Sequence, residues 1–256
     1  MDKEELCFLK ERKLIGKGRI ADVYLWKGFV YKCFKEGYPV DWIQYEFDVQ
    51  QEIVKTKLPV IHFYPSEFPN SIKMDYIDGE EMVEEMKRDR TNPIYLEQFM
   101  KLFQKIHSYH GLNLVKLKES MPVDIGKVNI EERRKKLALQ YFDEFPDQDT
   151  LCHLDFHFLN VLFEKKHSQY YIIDWITAKI GNPIFDYART YVICYEYVRS
   201  YSSIYLEQVN KLCGYKKEEL SKAIYIMAIQ RLNEFESKDV RELIDEMEQV
   251  LVTKIK

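Results

Sequence analysis

Apolar and polar residues alternate from Leu14 onward, and this two-residue period predicts three short strands between Leu14 and Phe34. The first run carries two glycines one residue apart, Gly16 and Gly18, and Lys27-Gly28 fits a two-residue hairpin turn. The period then lengthens. Trp42, Tyr45, Val49 and Ile53 recur at offsets of 3, 7 and 11, which predicts a helix with Asp41 as its cap. Alternation returns in Val60 to Tyr64 and in Ser71 to Tyr76, with a proline-containing turn over Pro65 to Asn70 between them. The first 76 or so residues therefore read as five strands and one main helix.

Helical periodicity dominates the remainder. Asn92-Pro93 is a capping residue followed by a first-turn proline, and Leu96, Phe99, Met100, Phe103, Ile106 and His107 follow on one face until Gly111. Asn129 and Glu132 have the spacing of a capping box. Two apolar runs, Val161 to Phe163 and Tyr170 to Ile173, flank a polar turn over Glu164 to Gln169 and read as a hairpin. Gly181-Asn182-Pro183 marks a turn before a helix through Tyr191 and Val192. Two further helices follow; the last carries Val240, Leu243, Ile244, Met247, Val250 and Leu251 on one stripe, with Asp239 as its expected cap.

Composition narrows the classes. The chain has 256 residues, and 38 Lys and Arg face 42 Asp and Glu, so no basic footprint points to nucleic acid. No apolar run approaches the ~18 residues of a membrane span, and the charged start Met1-Asp2-Lys3-Glu4-Glu5 lacks the core of a signal peptide. Five cysteines are scattered without a Cys-x-x-Cys pair, which suits reduced thiols in a cytoplasm better than disulfides or a metal centre.

The densest chemistry lies in Leu151 to Phe163, where His153-x-Asp155 is followed five residues later by Asn160 between apolar runs. Asp174 ends the following strand. In isolation such a segment is a hairpin whose Asp and Asn cap backbone amides. Lys32 shares a strand face with Val30 and Phe34, and Glu46 lies on the apolar stripe of the next helix. A lysine so placed often reaches out to water, but a carboxylate on a core-facing stripe is costly without a cation. Lys32 is the available partner, with Glu52 as the fallback for Glu46.

His-x-Asp-x-x-x-x-Asn, a strand, a polar turn, a strand and an Asp together resemble the kinase catalytic loop and metal-binding Asp. His157, Asp174-Trp175 and Gly181-Asn182-Pro183-Ile184-Phe185-Asp186 are more similar to the aminoglycoside phosphotransferase and choline kinase group, with Asn182 replacing an Asp. The resemblance runs from Gly16 to Asp186. It implies an α+β, two-lobe, protein-kinase-like fold: a small five-stranded antiparallel N-lobe with one main helix, over residues 1–76, and a larger, mostly helical C-lobe over 77–256, with a hinge at about 75–79.

The same resemblance assigns roles. Asp155 is the expected catalytic base, with His153 supporting the loop backbone and His157 contacting phosphate or the loop. Asn160 and Asp174 are expected to bind Mg²⁺, and Lys32, held by Glu46, the α- and β-phosphates of ATP, with GTP as the alternative donor. Gly16 and Gly18 stand in the phosphate loop, although Ala21 stands near the place of its third glycine. Met74, Tyr76 and Ile77 stand in the hinge that binds adenine. Asp186 is expected to anchor the catalytic loop or to cap its helix.

Only 12 residues separate Asp174 from Asp186, which leaves little room for a peptide-docking segment and favours a small-molecule hydroxyl acceptor. An inactive kinase-like binding protein and a small atypical protein kinase are the alternatives. Most of the six tyrosines from Tyr187 to Tyr205 are expected in the core, although with Glu196, Glu234, Glu236 and Asp239 their faces would suit a cationic acceptor. The resemblance implies aminoglycosides, choline, other amino alcohols, sugars and nucleosides as acceptor classes. The expected state is a monomer or weak dimer, bound to neither nucleic acid nor membrane.

Overall fold

A computed structural model describes residues 3–89 and 92–252; the ends of the two expected lobes at residues 1–2 and 253–256, and residues 90–91, lie outside the described residues. In chain order the elements begin with α1 (Lys3–Glu11), β1 (Lys13–Lys17), β2 (Ala21–Trp26), β3 (Phe29–Phe34) and α2 (Val40–Ile53). Next come β4 (Phe63–Tyr64), β5 (Ser71–Asp75), β6 (Gly79–Glu81), α3 (Met82–Arg88), α4 (Ile94–Ile106), α5 (Leu117–Lys127) and α6 (Glu132–Asp143). The rest are β7 (Thr150–Cys152), a 3₁₀ turn (Phe158–Asn160), β8 (Val161–Glu164), β9 (Gln169–Ile172), β10 (Lys179–Gly181), α7 (Pro183–Tyr197), α8 (Arg199–Cys213), α9 (Lys217–Arg231) and α10 (Lys238–Val252). They form two compact units, Met1–Glu85 with Leu159–Ile176, and Met86–Phe158 with Thr177–Lys256.

The first unit is built on an antiparallel sheet in the order β1-β2-β3-β5-β4. Lys27 and Gly28 both have positive φ, 47° and 81°, as a mirror-image hairpin turn between β2 and β3 requires. Alternation along β3 gives the sheet two different faces. Val30 and Phe34 join Ala21, Ile43, Ile72 and Met74 in the core under α2, whereas Tyr31 joins Phe8, Trp26 and Phe68 in an aromatic cluster under α1. Phe8 stacks on Phe68 with ring centroids 4.1 Å apart. A second, three-stranded sheet, β6-β8-β9, makes the unit discontinuous in sequence.

Several local expectations shift. The buried face of α2 consists of Ile43, Glu46, Val49, Gln50 and Ile53, while Trp42 is exposed and packs edge-on against Tyr45. The apolar stripe drawn through Trp42 was thus rotated by about one residue, because Gln50 earns a core position by donating to the Ile61 carbonyl at 2.5 Å. Asp41 lies in the first turn and makes no cap, Pro39 standing at that position. The strand expected from Val60 shrinks to Phe63–Tyr64, with Val60 instead bridging Ile172.

The second unit is mostly helical. α9 is buried nearly all round from Leu220 to Ile229, packed against α6, α7 and α10. Its lack of a polar face is the mark of a central helix. α4 buries Leu96, Phe99, Met100, Phe103 and Ile106. Asn182 caps α7 by accepting from the Ile184 amide at 3.1 Å. Asn129 and Glu132 do not form their capping box: α6 starts at Glu132, after Glu131. Asp239 lies inside the first turn of α10, and the Ser237 hydroxyl accepts from the Val240 amide instead. No described helix is long and apolar enough to cross a membrane.

Candidate active site

In the first unit, the Lys32 ammonium donates to Glu46 Oε1 at 2.6 Å and lies 3.8 Å from Asp174 Oδ1. Strand alternation carries Lys32 to the α2 face, and one turn of α2 carries Glu46 to it. Burial acts to discharge Lys32, but the Asp174 and Glu46 carboxylates outweigh it, so its pKa rises. Burial likewise pushes the Glu46 carboxyl up against the pull of Lys32. Glu46 is 3% exposed and its Oε2 is buried without a hydrogen-bond partner.

Asp174 follows β9 with φ at 64°, a left-handed conformation that is unfavourable for a non-glycine residue. The adjoining Ile173 amide donates to the Asn160 carbonyl at 3.1 Å. The end of the β8–β9 ladder therefore sets Asn160 beside the Ile173-Asp174 step. Asn160 is buried, whereas the Asp174 side chain is 41% exposed. An amide oxygen and a carboxylate are hard donors of the kind Mg²⁺ prefers. The exposed Asp174 carboxylate, backed by one ammonium and held in a strained backbone, fits that ion.

Ile15 is an extra residue in β1, since Leu14 pairs with Tyr24 and Gly16 with Val23. Gly18 follows, with its amide bonded to the Ala21 carbonyl at 2.9 Å; an added Cβ would meet that oxygen at 2.8 Å. The space, and not a positive φ, excludes a side chain here. Met74 is buried in the core under α2, Ile77 packs on the same core, and Tyr76 is exposed with its hydroxyl on Asp78.

In the second unit, the loop after β7 is fastened to α7. Asp186 is fully buried and accepts from the His153 amide at 2.7 Å, from the Leu154 amide at 2.8 Å and from the His107 ring at 3.0 Å. Anchoring of the loop, one of the two expectations for Asp186, is what it does. Leu154 is held with φ at 60°. One turn further along α7, the buried Thr190 hydroxyl donates to the Phe156 carbonyl at 2.6 Å. Asp155 thus sits between two attachments to one helix. Phe156 stacks on Phe99 at 4.3 Å and meets Phe103 edge-on.

The Asp155 carboxylate lies 3.5 Å from His157 Nε2, and its amide donates to His153 Nδ1. Burial raises the Asp155 pKa, but the hydrogen bond and charge of His157, then Arg189 and His153, hold it below the usual carboxylate range. His153 is fully buried and its carbonyl accepts from Thr177. His107, Cys152 and Asp186 converge closely enough to suggest a metal. Both Asp186 oxygens already hold loop amides, however, so that carboxylate is committed to the backbone of the loop.

Three of the four carboxylates expected to face a cationic acceptor, all but Asp239, are already engaged. Glu196 pairs with Arg231, Glu234 with both Arg189 and Arg231, and Glu236 with Arg241. Their charge is compensated within the protein, so the tyrosine-rich helices do not present a set of free acids. Thr190, Arg189 and Lys35 carry no signal in the sequence: a hydroxyl or ammonium aimed at a distant carbonyl, or a guanidinium aimed at distant side chains, leaves no local pattern.

Comparison with known proteins gives a consistent picture. The phosphotransferase enzyme family (APH) matches residues 12–215. No curated protein matches the sequence. The fold is similar to that of a thermostable mutant of aminoglycoside phosphotransferase APH(4)-Ia, with a TM-score of 0.70 at 12% identity over 98% of this chain and 99% of that one. It is also similar to APH(2")-IIa, solved with streptomycin and ATP, with a TM-score of 0.62 at 16% identity over 97% and 96% of the two chains. A choline/ethanolamine kinase family protein from Mesorhizobium loti gives a TM-score of 0.61 at 14% identity over 94% and 87%. The kinase-like α+β fold expected from the motifs is therefore present.

Proposed function

Since the chain belongs to the phosphotransferase enzyme family, we propose that it moves the γ-phosphoryl group of ATP to a hydroxyl of a small molecule. The observation that carries this reading is the convergence of Lys32, Glu46 and Asp174 in one unit, with Asn160 on the adjoining ladder step. Lys32, held by Glu46, is suited to the α- and β-phosphates. Backbone groups of Tyr76 and Ile77, just past the end of β5, are suited to adenine, and Gly16 and Gly18 to close approach of backbone to phosphate. Asn160 and Asp174 would hold Mg²⁺, which would supply positive charge against the charge that develops on the phosphates.

Asp155 accepts the acceptor hydroxyl's proton late in transfer, kept ionised by His157 and fixed in place by Asp186 and Thr190. Positioning and fixed charge supply most of the rate in such a site. Streptomycin in the APH(2")-IIa complex supports a hydroxylated, small-molecule acceptor. Sugars and nucleosides stand beside aminoglycosides and amino alcohols as candidate acceptors, and the arginine pairing of Glu196, Glu234 and Glu236 supports the uncharged ones.

The test is ADP release from Mg²⁺ and ATP across those acceptor classes. Turnover is expected with one class, falling about 10³-fold in Asp155→Asn. Nucleotide binding with no ADP release from any acceptor would make the chain an inert binding module. Phosphorylation of a generic protein acceptor alone would make it a protein kinase.

A further inference from the structure

Lys35 stands one residue past β3, and it gathers three consecutive carbonyls of the glycine-bearing loop. Its ammonium donates to the Gly18 oxygen at 2.8 Å and the Arg19 oxygen at 2.9 Å, while its backbone amide donates to the Ile20 oxygen at 2.9 Å. Ala21 pairs with Phe34, so Lys35 continues the β2–β3 ladder to Ile20. Its side chain then follows the alternation of β3. Lys32 and Phe34 face α2, and Lys35 therefore leaves from the other face, the one that carries Tyr31 and Cys33.

A trans peptide is planar, with the amide N–H opposite the preceding carbonyl. Carbonyls 18 and 19 turned toward the Lys35 ammonium point the Arg19 and Ile20 N–H groups, which lie antiparallel to them in the same peptide planes, away from it. Successive N–H groups on one side of a loop form an anion-binding concavity. The third glycine that would free such a loop is replaced by Ala21, and Lys35 supplies by attachment what that glycine supplies by freedom. We propose that Lys35 is a positioning residue for the donor nucleotide, fixing the Gly18–Ile20 backbone so that its amides receive the nucleotide phosphates. This rests on the phosphotransferase reading given above.

Calorimetry on the full chain with ATP, ADP and adenosine tests it. Lys35→Met is expected to weaken ATP and ADP about tenfold, the scale of losing hydrogen bonds from a charged donor, and to leave adenosine within about twofold. Lys35→Arg should keep most of the affinity. Gly18→Ala displaces the loop directly, against the Ala21 oxygen. If Lys35 works through the loop, adding Lys35→Met to Gly18→Ala costs less than a further twofold or so.

Unchanged ATP affinity in Lys35→Met overturns the proposal. So does an equal loss of ATP and adenosine, which would be a merely structural effect. Fully additive losses in the double variant would overturn it too, by placing the ammonium on phosphate itself. Failure of the unsubstituted protein to bind ATP would instead remove the phosphotransferase reading, and this inference with it.

Discussion

Removing the Lys32 ammonium leaves the Glu46 carboxylate 3% exposed with its main compensating charge gone. Breaking one side of such a pair usually costs more than replacing both sides with apolar groups. Lys32→Met should lower unfolding free energy by about 3 kcal/mol in urea titration, toward the low end because the lysine keeps some solvent contact. Lys32→Met combined with Glu46→Met should lose clearly less. A double variant as unstable as the single one would show that the pair does not couple. Asp155 offers a pH test. Its folded pKa lies below its unfolded value, so its contribution to stability is present above about pH 4 and is lost as pH falls further. Asp155→Asn should therefore flatten the acid side of the stability curve below about pH 4, with little effect on its slope at neutral pH.

At the scale of elements, α7 is the organising helix of the second unit. Asp186 and Thr190 are four residues apart on one face, and both hold the loop that bears Asp155. Asp186 could be suspected from its place after Gly181-Asn182-Pro183, since a buried acid near a turn needs donors. Thr190 could not, because threonines on helices usually point at their own backbone. Thr190→Val keeps the shape and deletes the donor to the Phe156 carbonyl. It is expected to cost about 1 kcal/mol of stability and to lower kcat about tenfold with KM for ATP unchanged, Thr190→Ser restoring both. An unchanged kcat would show that the loop is set by Asp186 and its aromatic packing alone.

For the whole molecule, two kinds of information separate. Strand and helix periods, the Lys27-Gly28 turn and the short spacing from Asp174 to Asp186 are local, because backbone geometry repeats over a few residues. The chain by itself thus determined the α+β class, the five-stranded sheet, the family resemblance and the pairing of Lys32 with Glu46, which follows from a charge placed on an apolar stripe. The face of α2 was misjudged by one residue because a core glutamine looks like a surface one until its carbonyl partner is known. The membership of Leu159–Ile176 in the first unit, the arginine partners of Glu196 and Glu234, and the bonds from Lys35 and Thr190 to loop carbonyls were decided only by the tertiary structure. Each depends on groups distant in sequence meeting in space, and no repeat along the chain encodes such a meeting.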